Sequence, residues 1–142
     1  MKMYQSDTPD SVQATPRASK HIIIPVFNFR GSLVASESDK WYPPASFMFT
    51  AGYATATSAG TTSVVLQVWK NTYHRQIDGT IVVDKVLLAD SVLPANGVKS
   101  LFNSRTSLNN AKVSPSDYIT VKAMTSSGHG GVVVQIFGDR TA

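Results

Sequence analysis

SPSDYITVKAMTSSGHGGVVVQIFGDR, Ser114 to Arg140, is the stretch whose reading decides the fold. Tyr118, Thr120, Lys122 and Met124 alternate with Ile119, Val121 and Ala123, the period of two that places successive side chains on opposite faces of a strand. Small residues follow from Ser126 to Gly131, and then the β-branched run Val132 to Phe137. Two extended runs around a Gly-rich loop predict a closing β-hairpin, its glycines supplying positive φ. Gly128-His129-Gly130-Gly131 also resembles a phosphate cradle, but such loops open a helix whose N-terminus meets the anion. Here a strand follows, so the stretch reports architecture and no chemistry.

Upstream, Lys20 to Phe29 is an apolar run interrupted by Pro25, which lacks a ladder donor and implies an edge strand or a bulge. Gly31 allows a bend, Ser32 to Ser36 continues the pairing, and Glu37 to Lys40 is a polar loop. In Ser46 to Thr57, Phe47, Phe49, Ala51, Tyr53 and Thr55 share one face, with Met48, Thr50, Gly52 and Ala54 on the other. Ser63 to Lys70 alternates again. Asn71 and Thr72 begin a turn, Tyr73 to Ile77 is a short strand ended by Asp78-Gly79, and Thr80 to Leu88 is the next strand. Pro94 to Gly97 makes a turn, Val98 to Ser104 a strand, and Leu108 to Ser116 a loop. No helical period is sustained anywhere. About eight short strands with frequent turn signals predict an all-β fold, an antiparallel β-sandwich of jelly-roll-like topology spanning residues 20–142.

The chain has 142 residues, one domain's worth, and buries about 68% of its unfolded surface on folding. Charged residues make up 15%, against about 25% in ordinary domains. The 13 basic residues are scattered, so the net charge of +4 forms no phosphate-binding face and nucleic acid is not an expected partner. With no cysteine, disulfides, thiolate zinc sites and cysteine nucleophiles are excluded. No apolar run approaches the ~18 residues of a membrane span, and no signal-peptide pattern opens the chain. The expectation is a protein made in a cytosol, without membrane contact.

Residues 1–19 carry Pro9 and Pro16 and few hydrophobes, chiefly Met3, Tyr4 and Val12. Such a segment cannot bury enough surface to fold alone. It reads as an extended N-terminal arm held by another molecule, with Met3, Tyr4, Val12, Pro16 and Arg17 as contact candidates; a solvated tail is the alternative. Fully extended, it reaches about 60 Å.

No constellation carries catalysis. His21, His74 and His129 are too widely separated for a metal-ligand motif. No GxSxG elbow is present, and Asp84 is the one acid well inside a strand. Catalytic residues, cofactors and metals are therefore not expected, and the chain does not read as an enzyme. Trp41, Tyr42 and Trp69, with Tyr73, are either core and interface filling or a stacking platform for sugars.

Three landmarks carry a family resemblance: Trp41-Tyr42-Pro43-Pro44, the strand VVLQVWKN from Val64 to Asn71, and the closing stretch from Ser114 to Gly138. From Trp41 onward the chain resembles a small jelly-roll module of tailed-bacteriophage virion proteins, found in capsid decoration, head-fibre and tail-tip proteins. It departs from the pattern where Ser116 replaces a Gly before Asp117, where Thr72 replaces a Gly after Asn71, and across Tyr73 to Pro94. The resemblance implies a non-enzymatic virion protein assembled in the host cytoplasm. It also implies a homotrimer, a capsid decoration (cement) protein that clamps the major capsid protein or another virion protein. The alternative is a glycan- or receptor-binding module at a tail or head-fibre tip, facing a host-surface glycan.

Overall fold

The computed structural model describes residues 22–23, 25–107 and 110–141. The expected arm, residues 1–19 with Met3, Tyr4, Val12, Pro16 and Arg17, lies outside the described residues. Eleven strands follow in order: β1 (Ile22–Ile23), β2 (Val26–Ser32), β3 (Ser36–Glu37), β4 (Phe47–Thr55), β5 (Val64–Arg75), β6 (Ile81–Leu93), β7 (Lys99–Leu101), β8 (Asn103–Ser104), β9 (Lys112–Val113), β10 (Asp117–Ala123) and β11 (Gly130–Arg140). No helix occurs among the described residues.

The strands form two antiparallel sheets. In one, β1 and β2 share an edge of β11, β11 pairs β4, and β7 and β9 lie along the far edge of β4. In the other the order is β3-β10-β5-β6-β8. Counting β1 and β2 as one strand and leaving out the two-residue β8 and β9, the sheets read 1-8-3-6 and 2-7-4-5. That order is two interlocked Greek keys, the jelly roll. The expected sandwich is therefore present.

The closing stretch corrects the hairpin expectation. β10 and β11 do not pair: β10 lies between β3 and β5, and β11 belongs to the other sheet. The six residues from Met124 to His129 arch from sheet to sheet, a gap of about 10 Å. Their backbone is satisfied from outside the loop. Ser127 N and Gly128 N both donate to Leu33 O at 3.1 Å, and Thr61 N donates to Ser127 O at 2.8 Å. His129 is fully buried, with Nε2 2.8 Å from Pro94 O and Nδ1 2.6 Å from Ser127 Oγ. A carbonyl only accepts, so Nε2 carries the proton and Nδ1 accepts from Ser127. The positive φ expected of the glycines is present at Gly128 (79°) and Gly131 (56°).

Two further expectations change for local reasons. The faces of β4 invert half-way, because Thr50 is an extra residue between the pairs Gly138↔Phe49 and Phe137↔Ala51. Thr50 Oγ1 donates to Phe137 O at 3.0 Å. Phe47 and Phe49 point inward as expected, but beyond the bulge Gly52 and Ala54 take the core. Tyr53 turns outward, stacked on Phe137 at 5.7 Å. Asn71 and Thr72 make no turn. The Asn71 amide donates across to Thr120 Oγ1 (3.1 Å) and Tyr118 O (3.3 Å), and Thr72 Oγ1 donates to Asp117 Oδ1 (2.7 Å). With the Asn71 amide N–H groups and the Thr72 hydroxyl partnered, β5 runs on to Arg75 and the reversal comes at Asp78-Gly79.

Phe47, Leu66, Leu88, Leu93, Ile119 and Ile136 are fully buried between the sheets, each contributing about 1.5–3 kcal/mol of transfer free energy. One flank is closed by Lys99–Ser104, which pairs first with β4 and then with β6. Buried Phe102 sits at the crossing, and its N donates to Gly52 O at 3.0 Å. The other flank has no crossing strand among the described residues. There β2 and the segment from Ser36 to Trp41 are the sheets' outer strands.

Candidate functional site

Sheet geometry, rather than sequence proximity, collects the aromatic side chains. After β3 the chain keeps to the edge of β10, with Trp41 N donating to Ile119 O (3.0 Å) and Ile119 N to Trp41 O (2.9 Å). Alternation then turns Trp41 inward with Ile119, and Tyr42 outward with Tyr118. Pro43 and Pro44 end the pairing. Trp41 is half-buried against the core, edge-on to Phe47 at 5.8 Å. Trp69 is half-buried on the outer face of β5, its indole N–H donating to Gln67 Oε1 at 3.1 Å. Of the four aromatics singled out from sequence, Tyr42 (51%) and Tyr73 (46%) are openly exposed.

Tyr42 instead belongs to a cluster with Tyr118 on β10 and Tyr73 on β5. Each outer ring lies 5.5 Å from Tyr118, centroid to centroid. The Lys40 ammonium sits 4.9 Å from the Tyr118 centroid and 5.9 Å from that of Tyr73, and donates to the Tyr73 hydroxyl at 3.3 Å. The Tyr73 hydrogen bond pushes the Lys40 pKa up. The Tyr73 hydroxyl is pulled below the usual phenol range, first by the neighbouring Tyr42 hydroxyl and then by Lys40. The Tyr73 hydroxyl in turn raises Tyr42, and burial raises Tyr118. Lys85 reaches Glu37 at 3.6 Å over the same face.

Tyr73 also begins a projection. β5 and β6 pair from Val64↔Leu93 to Arg75↔Ile81, whereas β10 accompanies β5 only as far as Thr72. Beyond that point no third strand flanks the hairpin among the described residues, and Tyr73, Ile77, Ile81 and Val83 are exposed. Unpartnered apolar side chains gathered in one place mark an interaction surface.

The cluster was hidden in the sequence by the false turn at Asn71, which removed Tyr73 from the strand beside Tyr118. The signal available was the equal spacing of Trp69, Asn71 and Tyr73, which keeps all three on one face once β5 is continuous. Of the histidines, His129 is buried in the arch, His74 is exposed near the hairpin tip and His21 lies outside the described residues. Asp84 is exposed on β6, opposite Thr72. No group of three His, Asp or Glu side chains able to hold a metal converges among the described residues. Such a face can stack a flat ring, hold an anion or dock a protein. Compared with known proteins, the chain matches no family model and no curated relative.

Proposed function

We propose that this protein is a bacteriophage virion structural protein, a capsid decoration (cement) protein that binds the assembled coat lattice. The observation that carries the reading is the β5–β6 hairpin, which extends past the sandwich and presents Ile77, Ile81 and Val83 to solvent. Apolar surface on a projecting element is suited to burial against a partner. The partner in this reading is the major capsid protein or another virion protein, met by a homotrimer assembled with the particle in the host cytoplasm. The mechanism is mass action: a protein that binds the closed lattice and not its free subunits stabilises the lattice by RT ln(1 + [L]/Kd). No catalytic step is assigned.

Cosedimentation with assembled shells and with dissociated coat subunits tests the reading. The full chain is expected to pellet with shells alone. Ile77→Asp with Ile81→Asp abolishes pelleting without altering the circular dichroism, and deletion of residues 1–19 weakens it. Unchanged pelleting of the tip variant would remove the reading.

The Tyr42–Tyr73–Tyr118 cluster with Lys40 favours a second reading, a glycan- or receptor-binding module at a tail or head-fibre tip. Flat rings stack on sugars, and the ammonium is placed to meet an acidic group. That reading requires Tyr42→Ala or Tyr73→Ala to lose host-cell or glycan-array binding that the tip variant retains.

A further inference from the structure

The unsealed flank carries an unfinished sheet. Pro25 O accepts from Ile136 N at 3.2 Å, so the residue 25 carbonyl faces β11. Peptide groups alternate along a strand, so those of Val26 and Asn28, with the Arg30 N–H, face away from β11. No backbone group among the described residues pairs with them. Side chains divide the other way: Phe27 and Phe29 are buried, while Val26, Asn28 and Arg30 are exposed. Beside this edge lie two cavities of 310 and 210 Å³, walled on the opposite sheet by Asp39, Lys40 and Trp41 and by Ser36 and Glu37. A free backbone edge above a groove is a template for an added strand.

The chain itself holds a matching segment. Asp10–Thr15 is flanked by Pro9 and Pro16, and prolines end a ladder at either side. Within it Val12 and Ala14 alternate with Ser11, Gln13 and Thr15, the pattern of a strand with one buried face. Added parallel to β2, a sandwich-facing Val12 and Ala14 would line up with Phe27 and Phe29 in turn, leaving Gln13 on the outer face beside Asn28 and aiming the Ala14 N–H at Asn28 O. The described chain begins at Ile22 opposite Asp139, one residue from the end of β11. Between Pro16 and Ile22 there is no Gly, Asn or Asp to make a tight return onto the molecule's own β2. Nineteen residues span about 60 Å when extended, enough to reach a neighbour.

We infer that Asp10–Thr15 of a second copy adds to the free edge of β2 as an extra strand, so that copies are joined by exchanged arms. The inference stands whatever surface the body binds, because it concerns contacts between copies of this chain alone.

The chain has no cysteine, so a disulfide trap is clean. One chain carries Asn28→Cys and the other carries Gln13→Cys, with Ser11→Cys and Thr15→Cys covering a two-residue slip of register. After mixing and mild oxidation, the disulfide-linked pair of unlike chains is expected as the main product. Its yield falls about tenfold or more when Ala14→Pro is added to the arm, because proline blocks the ladder. Light scattering on a sizing column is expected to give an oligomer for the full chain and a monomer for Ala14→Pro. The arm substitutions change none of the described core residues, and Asn28 is exposed, so the body stays folded. The inference is overturned if the bond forms only when both cysteines share one chain, or if no pair traps. Indifference of the trap to Ala14→Pro overturns it equally.

Discussion

On one flank of the sandwich the chain closes its own sheets: Lys99–Leu101 finishes the edge of β4, Phe102 turns inward, and Asn103–Ser104 crosses to β6. On the other flank β2 and Ser36–Trp41 stand side by side, each with one neighbour among the described residues, above open cavities. Both flanks bury phenylalanine, Phe102 on the first and Phe27 and Phe29 on the second. What separates them is whether a strand changes sheets. A jelly roll can therefore be well packed and still leave backbone donors available, and edges in that state invite pairing with another chain.

The widest separation between the flanks should appear in stability. Phe102→Ala removes the side chain buried at the crossing and is expected to cost roughly 3–5 kcal/mol in denaturant unfolding. Asn28→Ser, on the open edge, is expected to stay within about 0.5 kcal/mol. Equal losses at the two positions would erase the distinction.

His129 sharpens the contrast, because it ties the flanks together. Its backbone O accepts from Leu33 N (2.7 Å), just past β2, while Nε2 reaches Pro94 O, just past β6. His129→Ala leaves that carbonyl and the Ser127 hydroxyl without their partner, a loss of roughly 2–3 kcal/mol. Proteolysis within the arch, tracked alongside unfolding, checks that the loss is located there. Gly131→Ala follows at about 1–2 kcal/mol. Its φ is +56°, and an added Cβ would lie 2.6 Å from Thr57 Oγ1.

The smallest effects lie on the tyrosine face, which adjoins the open flank at Lys40. Tyr73 has a depressed folded pKa, so its tyrosinate form is favoured and its contribution to stability grows as pH rises through that pKa. Lys40 runs oppositely: its raised pKa contributes below the unfolded value and is lost as pH climbs through the folded one. In a tyrosinate absorbance titration, Tyr42→Phe should move the earliest step to higher pH, and Lys40→Met should move it less. No movement in either variant would break the coupling of these hydroxyls.

Much of the body was legible because its strands obey local rules. Val64, Leu66 and Val68 alternate inward, Asp78-Gly79 turns, and Pro25 falls just before β2, where its missing N–H interrupts the ladder with β11. Three features were not legible, each because the deciding partner is distant in sequence. A Gly-rich loop reads alike whether it closes a hairpin or an arch, and Leu33, Thr61 and Pro94 decide the matter. Thr50 inverts a strand through a carbonyl 87 residues away. Asn71 is a turn former in isolation and a strand residue once Thr120 and Tyr118 O accept from its amide. The aromatic face was obscured by that last misreading, and its partner chemistry is written in the tertiary geometry alone.

Amide hydrogen exchange at Val26, Asn28 and Arg30 tests most directly whether the open edge is an assembly surface. In the full chain at assembling concentration these amides are expected to be slow, and in Ala14→Pro or on dilution to exchange as freely as an unpaired edge. Fast exchange in every sample, or equal protection in the Ala14→Pro chain, would contradict the account.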